Sequence, residues 1–170
     1  MIEIRPLRES DNRTEFASGD PDLDRFFRQY AGQNQFAHHT GVTYVAVKDD
    51  GIVGYATVAA ADIEIEDLPP TLAKRLPHYP LPVLRLARLA VDASARNEGI
   101  GSALLRHVLL LARAMADFTG CVGVVVDAKP DAAAFYEKLG FITLPAVEGI
   151  SPARPATAPM FLPLAAIPPS

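Results

Sequence analysis

Arg96-Asn97-Glu98-Gly99-Ile100-Gly101 lies between a nearly continuous apolar run, Leu84 to Val91, and a helix-forming run, Ser102 to Phe118. Read in order, this is a strand, a polar glycine-containing turn and a helix. The helix carries Leu104, Leu105, Val108, Leu111 and Ala112 on one stripe, the period of an amphipathic segment. At its start the first backbone N–H groups have no intrahelical partner, and the helix dipole adds partial positive charge. The stretch therefore reads as an anion site, with phosphate as the natural ligand. A tight turn that needs the same glycines for geometry alone is the competing reading.

Working outward, Ile2 and Ile4 alternate with Glu3 and Arg5 as in a half-buried strand. Phe16 opens a second segment, in which Ser18 or Asp20 would cap a helix carrying Leu23, Phe26, Phe27 and Tyr30. Thr43 to Val47 and Ile52 to Ala59 read as strands joined by Lys48-Asp49-Asp50-Gly51, a hairpin signal. An acidic stretch (Asp62, Glu64, Glu66, Asp67) leads to Pro69-Pro70, a short helix around Leu72 to Leu76, and prolines at 77, 80 and 82. Those prolines hold the chain extended on its way into the central strand, Leu84 to Val91. Cys121 to Val126 reads as a buried strand, and Asp131 to Leu139 as a short helix with Gly140 at its C-cap. Phe141 to Leu144 and Met160 to Ile167 close the pattern as strands. Prolines at 145, 152, 155 and 159 predict a loop between them, and Pro163 a bulge or unpaired position in the last strand. The expected fold is α/β (α+β): a mixed, mainly antiparallel sheet with helices on both faces. No internal repeat or linker interrupts residues 1–170, so a single domain is expected.

The chain has 170 residues, 49% apolar and 21% charged, the composition of an ordinary globular protein. Its one cysteine, Cys121, excludes an internal disulfide framework and fits a reducing compartment; the valines that follow it, Val122, Val124, Val125 and Val126, mark it as a buried strand residue. Met1 to Arg5 is a strand pattern, not a basic-then-apolar leader, and no run reaches membrane-spanning length. The expected location is cytoplasmic, with no membrane partner. Sixteen basic against twenty acidic residues give −4, so no global field steers nucleic acid to the protein. Local basic ground would have to come from arginines such as Arg25, Arg28, Arg85, Arg88 and Arg96. His38-His39 lacks companions at metal-ligand spacing, and no metal site is expected.

A nucleotide-binding Walker loop would need Gly-Lys-Ser/Thr at the helix start, and Gly101-Ser102 lacks the lysine. A dinucleotide fold would place its glycine turn after the first strand, whereas here the turn follows an antiparallel hairpin. Further on stand Val124-Val125-Val126-Asp127-Ala128 and then Ala132-Ala133-Ala134-Phe135-Tyr136-Glu137-Lys138-Leu139-Gly140-Phe141. The two segments together resemble the GCN5-related N-acetyltransferase (GNAT) superfamily. Its loop pattern Gln/Arg-x-x-Gly-x-Gly/Ala is met by Arg96, Gly99 and Gly101. Its later pattern Ala-x-x-Phe-Tyr-x-x-x-Gly-Phe is met by Ala132, Phe135, Tyr136, Gly140 and Phe141.

The resemblance implies a six- to seven-stranded sheet splayed between its fourth and fifth strands, with acetyl-CoA as cofactor. It implies that the coenzyme lies on the backbone of Leu89, Ala90 and Val91 and on the turn Arg96, Asn97, Glu98, Gly99, Ile100, Gly101 and Ser102. It also implies that the Tyr136 phenol donates a proton to the departing thiolate. Asn97 stands where relatives often carry glycine, and asparagine tolerates the unusual backbone angles required. Glu98 stands where relatives often carry a basic residue, and is expected to face solvent.

A narrower resemblance runs through Phe16-Ala17-Ser18-Gly19, Leu23-Asp24-Arg25-Phe26, Leu76-Pro77-His78-Tyr79-Pro80-Leu81-Pro82-Val83, Arg88-Leu89-Ala90-Val91-Asp92 and Met160-Phe161-Leu162-Pro163-Leu164. These segments are similar to the acetyltransferase toxins of bacterial toxin–antitoxin pairs. That similarity implies transfer to the α-amine of aminoacyl-tRNA, a homodimer, and a small ribbon-helix-helix antitoxin. Arg85 and Arg88 are the candidate substrate-binding residues. No dedicated general base stands out; Asp62, Glu64, His78 and Asp92 are candidates. An α-amine, with a reference pKa of about 7.7–8.0, has the least need of one. A small-molecule amine or a peptide N-terminus is the alternative acceptor.

Overall fold

In the computed structural model, which describes residues 1–144 and 158–168, the Lys48–Gly51 hairpin forms as expected. It joins β2 (Val42–Lys48) to β3 (Gly51–Ile63), antiparallel, with Lys48 opposite Gly51. Asp49 and Asp50 have φ of +51° and +64°. Two left-handed central residues give a turn whose twist matches that of the flanking strands. β1 (Glu3–Pro6) pairs antiparallel with β2, Glu3 opposite Val47. β3 runs four residues past its expected end at Ala59.

Residues 1–59 and 86–110 form one compact unit; residues 60–85 and the described residues from 111 onward form a second. Three elements continue from one unit into the other: β3, β4 (Leu81–Val91) and α3 (Ile100–Phe118). With β5 (Gly123–Ala128), β6 (Ile142–Thr143) and β7 (Ala158–Pro163), the strand order is β1-β2-β3-β4-β5-β7-β6.

In the first unit, α1 (Pro21–Arg25) is capped by Asp20, whose carboxylate accepts from Asp22 N at 3.0 Å and Leu23 N at 3.3 Å. The chain then winds through π-helical turns at Phe26–Tyr30 and Gln33–Ala37. This corrects the expected apolar stripe. Bonding from Ala31 N to Phe26 O adds one residue to the turn, so Ala31 is fully buried and Tyr30 is 47% exposed. Phe26, Phe27, Phe16 and Tyr55 form the aromatic centre of the core, with Phe27 stacked on Tyr55 at 4.5 Å and 9°. Gly54 lies under the start of α3. A Cβ there would stand 2.8 Å from Ile100 Cγ2 and 3.0 Å from Leu104 Cδ1. Gly54→Ala is expected to cost about 1–3 kcal/mol by overpacking, measured as a lowered urea midpoint.

His107 of α3 packs its ring against Tyr44 of β2 at 4.6 Å, and its Nε2 is buried without a hydrogen-bond partner. Burial holds the imidazole below its ordinary pKa. A depressed histidine pKa means that the unfolded chain takes up the proton first. Its contribution is therefore whole above about pH 6.5 and declines as the pH falls toward the lowered value. The Tm should drop on acidification from pH 7 to 5, and His107→Leu should flatten that drop.

In the second unit, α2 (Pro70–Ala73) begins two residues before the expected helix, and its turn bonds continue to Leu76. β4 begins at Leu81, three residues early, and the Pro82 carbonyl accepts from Val122 N at 2.8 Å. Ile63, Ile65, Leu68, Leu81, Val83, Leu144 and Phe161 form the core here. Cys121 lies just before β5, buried, its thiol donating to the Gly123 carbonyl at 3.2 Å and held above its usual pKa by burial. Pro163 needs no bulge. It is the last residue of β7, opposite Gly123, and the next donor, Leu164 N, reaches Val122 O at 2.9 Å. A 3-10 turn over Leu164–Ala166 replaces the expected remainder of the strand. The loop predicted from Pro145 to Pro155 lies outside the described residues.

Candidate functional site

β4 delivers Leu89, Ala90 and Val91 to a short 3-10 turn, Ala93–Ala95, capped by Asp92. The Asp92 carboxylate accepts from Ser94 N at 3.0 Å, Ser94 Oγ at 2.6 Å and Ala17 N at 2.9 Å. Burial alone would raise its pKa; these three hydrogen bonds outweigh burial and hold it below the usual carboxylate range. Asp92 is thus an ionised cap that already accepts three hydrogen bonds, a poor general base.

Beyond it the backbone reverses through two left-handed residues, Asn97 at φ +64° and Gly99 at φ +78°. Asparagine fills the first position as expected, because its short polar side chain tolerates this region. α3 begins at once. Its first intrahelical bond runs from Ala103 N to Gly99 O at 3.0 Å, so the amides of Ile100, Gly101 and Ser102 precede the ladder. Ile100 is buried and anchors the helix start, whereas Ser102 is exposed. A Cβ built at Gly99 would meet nothing within 4 Å. The turn therefore presents three unmatched donors beside open space, at the positive end of a 19-residue helix. This donor set fits a phosphate or pyrophosphate.

Glu98 is exposed and accepts from Lys48 Nζ at 2.6 Å. That partner, fifty residues away, gives no signal in the sequence. Glu98→Gln should change affinity for the expected coenzyme less than threefold; a tenfold gain would mean that the carboxylate opposes the phosphates. Arg96 donates from Nη2 to the Ser18 carbonyl at 2.6 Å.

The other arginines singled out in the sequence are also engaged within the chain. Arg25 pairs with Asp22 at 2.6 Å, and Arg28 donates to the Phe16 carbonyl at 2.8 and 2.6 Å. The Arg88 guanidinium lies 3.7 Å over the Phe26 ring, and Arg85 pairs with Asp127 at 2.7 Å. Asp62, Glu64 and His78 are exposed. Among the described residues, no group of three His, Cys, Asp or Glu side chains is arranged to hold a metal ion. Nor is any helix among them long and apolar enough to cross a membrane.

Tyr136 stands in α4 (Ala133–Lys138), in the second unit. Its helix ends in a Schellman motif: Gly140, at φ +97°, donates to Glu137 O at 3.0 Å, and Phe141 N donates to Tyr136 O at 3.1 Å. The same motif brings the Phe141 ring to 5.4 Å from that of Tyr136, with Phe135 at 5.2 Å on another side. Tyr136 is 5% exposed, and burial pushes its phenol up to about 12. Phe135 is only half-buried.

The sequence matches the family model for an acetyltransferase (GNAT) domain over residues 39–143. A tRNA-acetylating toxin of Mycobacterium tuberculosis is 34% identical over 140 residues, which cover 81% of this chain and 82% of that protein. A tyrosine-to-phenylalanine mutant of KacT superposes with a TM-score of 0.85 at 27% identity, over 98% of this chain and 96% of that one. AtaTR bound with acetyl-CoA gives a TM-score of 0.77 at 25% identity, over 98% and 95%. The chain belongs to the GNAT family of acetyl-CoA-dependent N-acetyltransferases, in the branch that holds the tRNA-acetylating toxins.

Proposed function

We propose that this protein acetylates the α-amine of aminoacyl-tRNA as the toxin of a toxin–antitoxin pair, residues 1–170 acting as one acetyltransferase domain. The observation that carries the donor half is the open turn at Asn97–Gly99 with its three unmatched amides. The acceptor half rests on kinship with a tRNA-acetylating toxin over most of both chains. Acetyl-CoA, when bound, supplies a thioester carbonyl and a thiol leaving group. The amides of Ile100, Gly101 and Ser102 hold the pyrophosphate, and the backbone of Leu89, Ala90 and Val91 orients the arm. The substrate amine would attack the carbonyl carbon, the C–N bond forming as the C–S bond breaks; Tyr136 would protonate the departing sulfur and regain its proton from solvent. An α-amine is already partly neutral at pH 7, so its proton can pass to water without a dedicated base.

Arg85 and Arg88 are proposed to assist substrate binding. With the chain at −4, phosphate contacts to tRNA would have to come from local cations. Thr71, Lys74, Arg75 and His78, on and just after α2, are all exposed, as is Tyr79 at 60%. Among the described residues neither Lys74 nor Arg75 is in an ion pair. Cations beside an exposed ring suit single-stranded nucleic acid. We further propose a cytoplasmic homodimer restrained by a ribbon-helix-helix antitoxin. A test incubates the protein and labelled acetyl-CoA with charged tRNA, deacylated tRNA, free amino acids, polyamines and peptides. Label on charged tRNA alone supports the reading. Turnover of a small amine or a peptide N-terminus with none on charged tRNA would replace it with the alternative acceptor.

A further inference from the structure

The turn Ala17–Gly19 takes no part in the chemistry above, yet both edges of its backbone are bonded to other elements, one of them far from it in sequence. On one side it meets the segment that leads into the Asn97–Gly99 turn. Ala17 N donates to Asp92 Oδ1 at 2.9 Å, the Ala17 carbonyl accepts from Ala93 N at 2.8 Å, and the Ser18 carbonyl accepts from Arg96 Nη2 at 2.6 Å. On the other side it is fixed to α1 and the turn after it. Ser18 donates from N and Oγ to Asp24 Oδ1 at 2.9 and 2.6 Å, and the neighbouring Phe16 carbonyl takes two bonds from Arg28. Asp24 is buried, so this side is a firm base. Gly19 has φ +98°, and a Cβ there would lie 2.8 Å from Arg96 Nη2. The turn is shaped around the guanidinium.

We propose that Ala17–Gly19 is a positioning element for the coenzyme loop, gripped by Asp92 and Arg96, and that Arg96 serves this grip and not the phosphates. The proposal rests on the reading of the Asn97–Ser102 amides as the pyrophosphate site. Asp92 and Arg96 bracket the last residues before the left-handed turn. Tying both to one rigid segment fixes the direction in which Asn97, Gly99 and the first amides of α3 point. Donors held in place before the ligand arrives need no ordering on binding, which shows as tighter binding.

The test measures amide hydrogen exchange in the coenzyme-free protein, for the wild type, Arg96→Ala, Gly19→Ala and the double variant. A grip predicts that Arg96→Ala speeds exchange at Ala17 and Ala93 at least tenfold with no ligand present. It predicts a rise of about tenfold in KM for acetyl-CoA, with the larger share of the loss in KM and not kcat. It also predicts a double variant no worse than the worse single one, since either change opens the same contact. Arg96→Lys, which keeps one donor, should restore part of the protection. Unchanged exchange in coenzyme-free Arg96→Ala overturns the proposal, as do single losses that multiply in the double variant. Should Gly19→Ala fail to fold, exchange in Arg96→Ala decides alone. Acetyl-CoA that adds no protection at Ile100–Ser102 of the wild type overturns the pyrophosphate reading instead, a result separable from exchange without ligand.

Discussion

Tyr136→Phe is expected to lower kcat by about a hundredfold to a thousandfold, within the range of about 10²–10⁴ for loss of a positioned general acid, while the Kd for acetyl-CoA moves less than about twofold. The ring is held by the Phe135 and Phe141 edges and by the Schellman turn that ends its helix. Phenylalanine keeps that packing, so the substitution removes the hydroxyl and little else. Its phenol, pushed up to about 12 by burial, is fully protonated at neutral pH and ready to donate. A tyrosine kept only for packing would leave kcat within about twofold after this change. The Tm separates the two cases from unfolding, since it should shift by no more than a few degrees.

The rate at subsaturating acceptor should fall about tenfold for each pH unit below the amine's pKa, reaching about a hundredfold at two units below 7.7–8.0. The sign follows from the nucleophile: only the neutral amine attacks, and acid removes it. On the alkaline side the profile should stay flat to about pH 10, because the Tyr136 proton is held until about 12. A second limb near pH 7 that shifts when an aspartate or histidine is replaced would identify a general base in the chain. Asp92 is a poor candidate, since its pKa is lowered and its carboxylate already accepts three hydrogen bonds. His78, Asp62 and Glu64 are the residues to replace in that event.

Local signals carried most of the architecture. Asp49-Asp50-Gly51 specifies its turn because both central positions need left-handed backbone. Gly140 ends its helix for the same reason, and the apolar stripe of α3 is buried at Leu104, Leu105, Val108 and Ala112. Element ends were harder. β3 continues through Ala60 and Ala61 to Ile63, although alanine has little strand preference. The π-helical turns exchange Tyr30 for Ala31 at the core, and no periodicity in the sequence marks that added residue. The candidate site divides along the same line. Its loop and Tyr136 are motifs of contiguous residues. Its bracing joins Arg96 to Ser18 and Glu98 to Lys48 across long separations, and single polar residues carry no pattern that reveals such partners.

The most direct test of the acetyl transfer proposed here is mass spectrometry of the 3′-terminal aminoacyl-adenosine released by nuclease from charged tRNA after incubation with the protein and acetyl-CoA. One added acetyl on the α-amine, absent when Tyr136→Phe replaces the wild type at matched time, is the predicted result. An unmodified aminoacyl-adenosine from every charged tRNA, from a preparation that consumes acetyl-CoA with another amine, would contradict it.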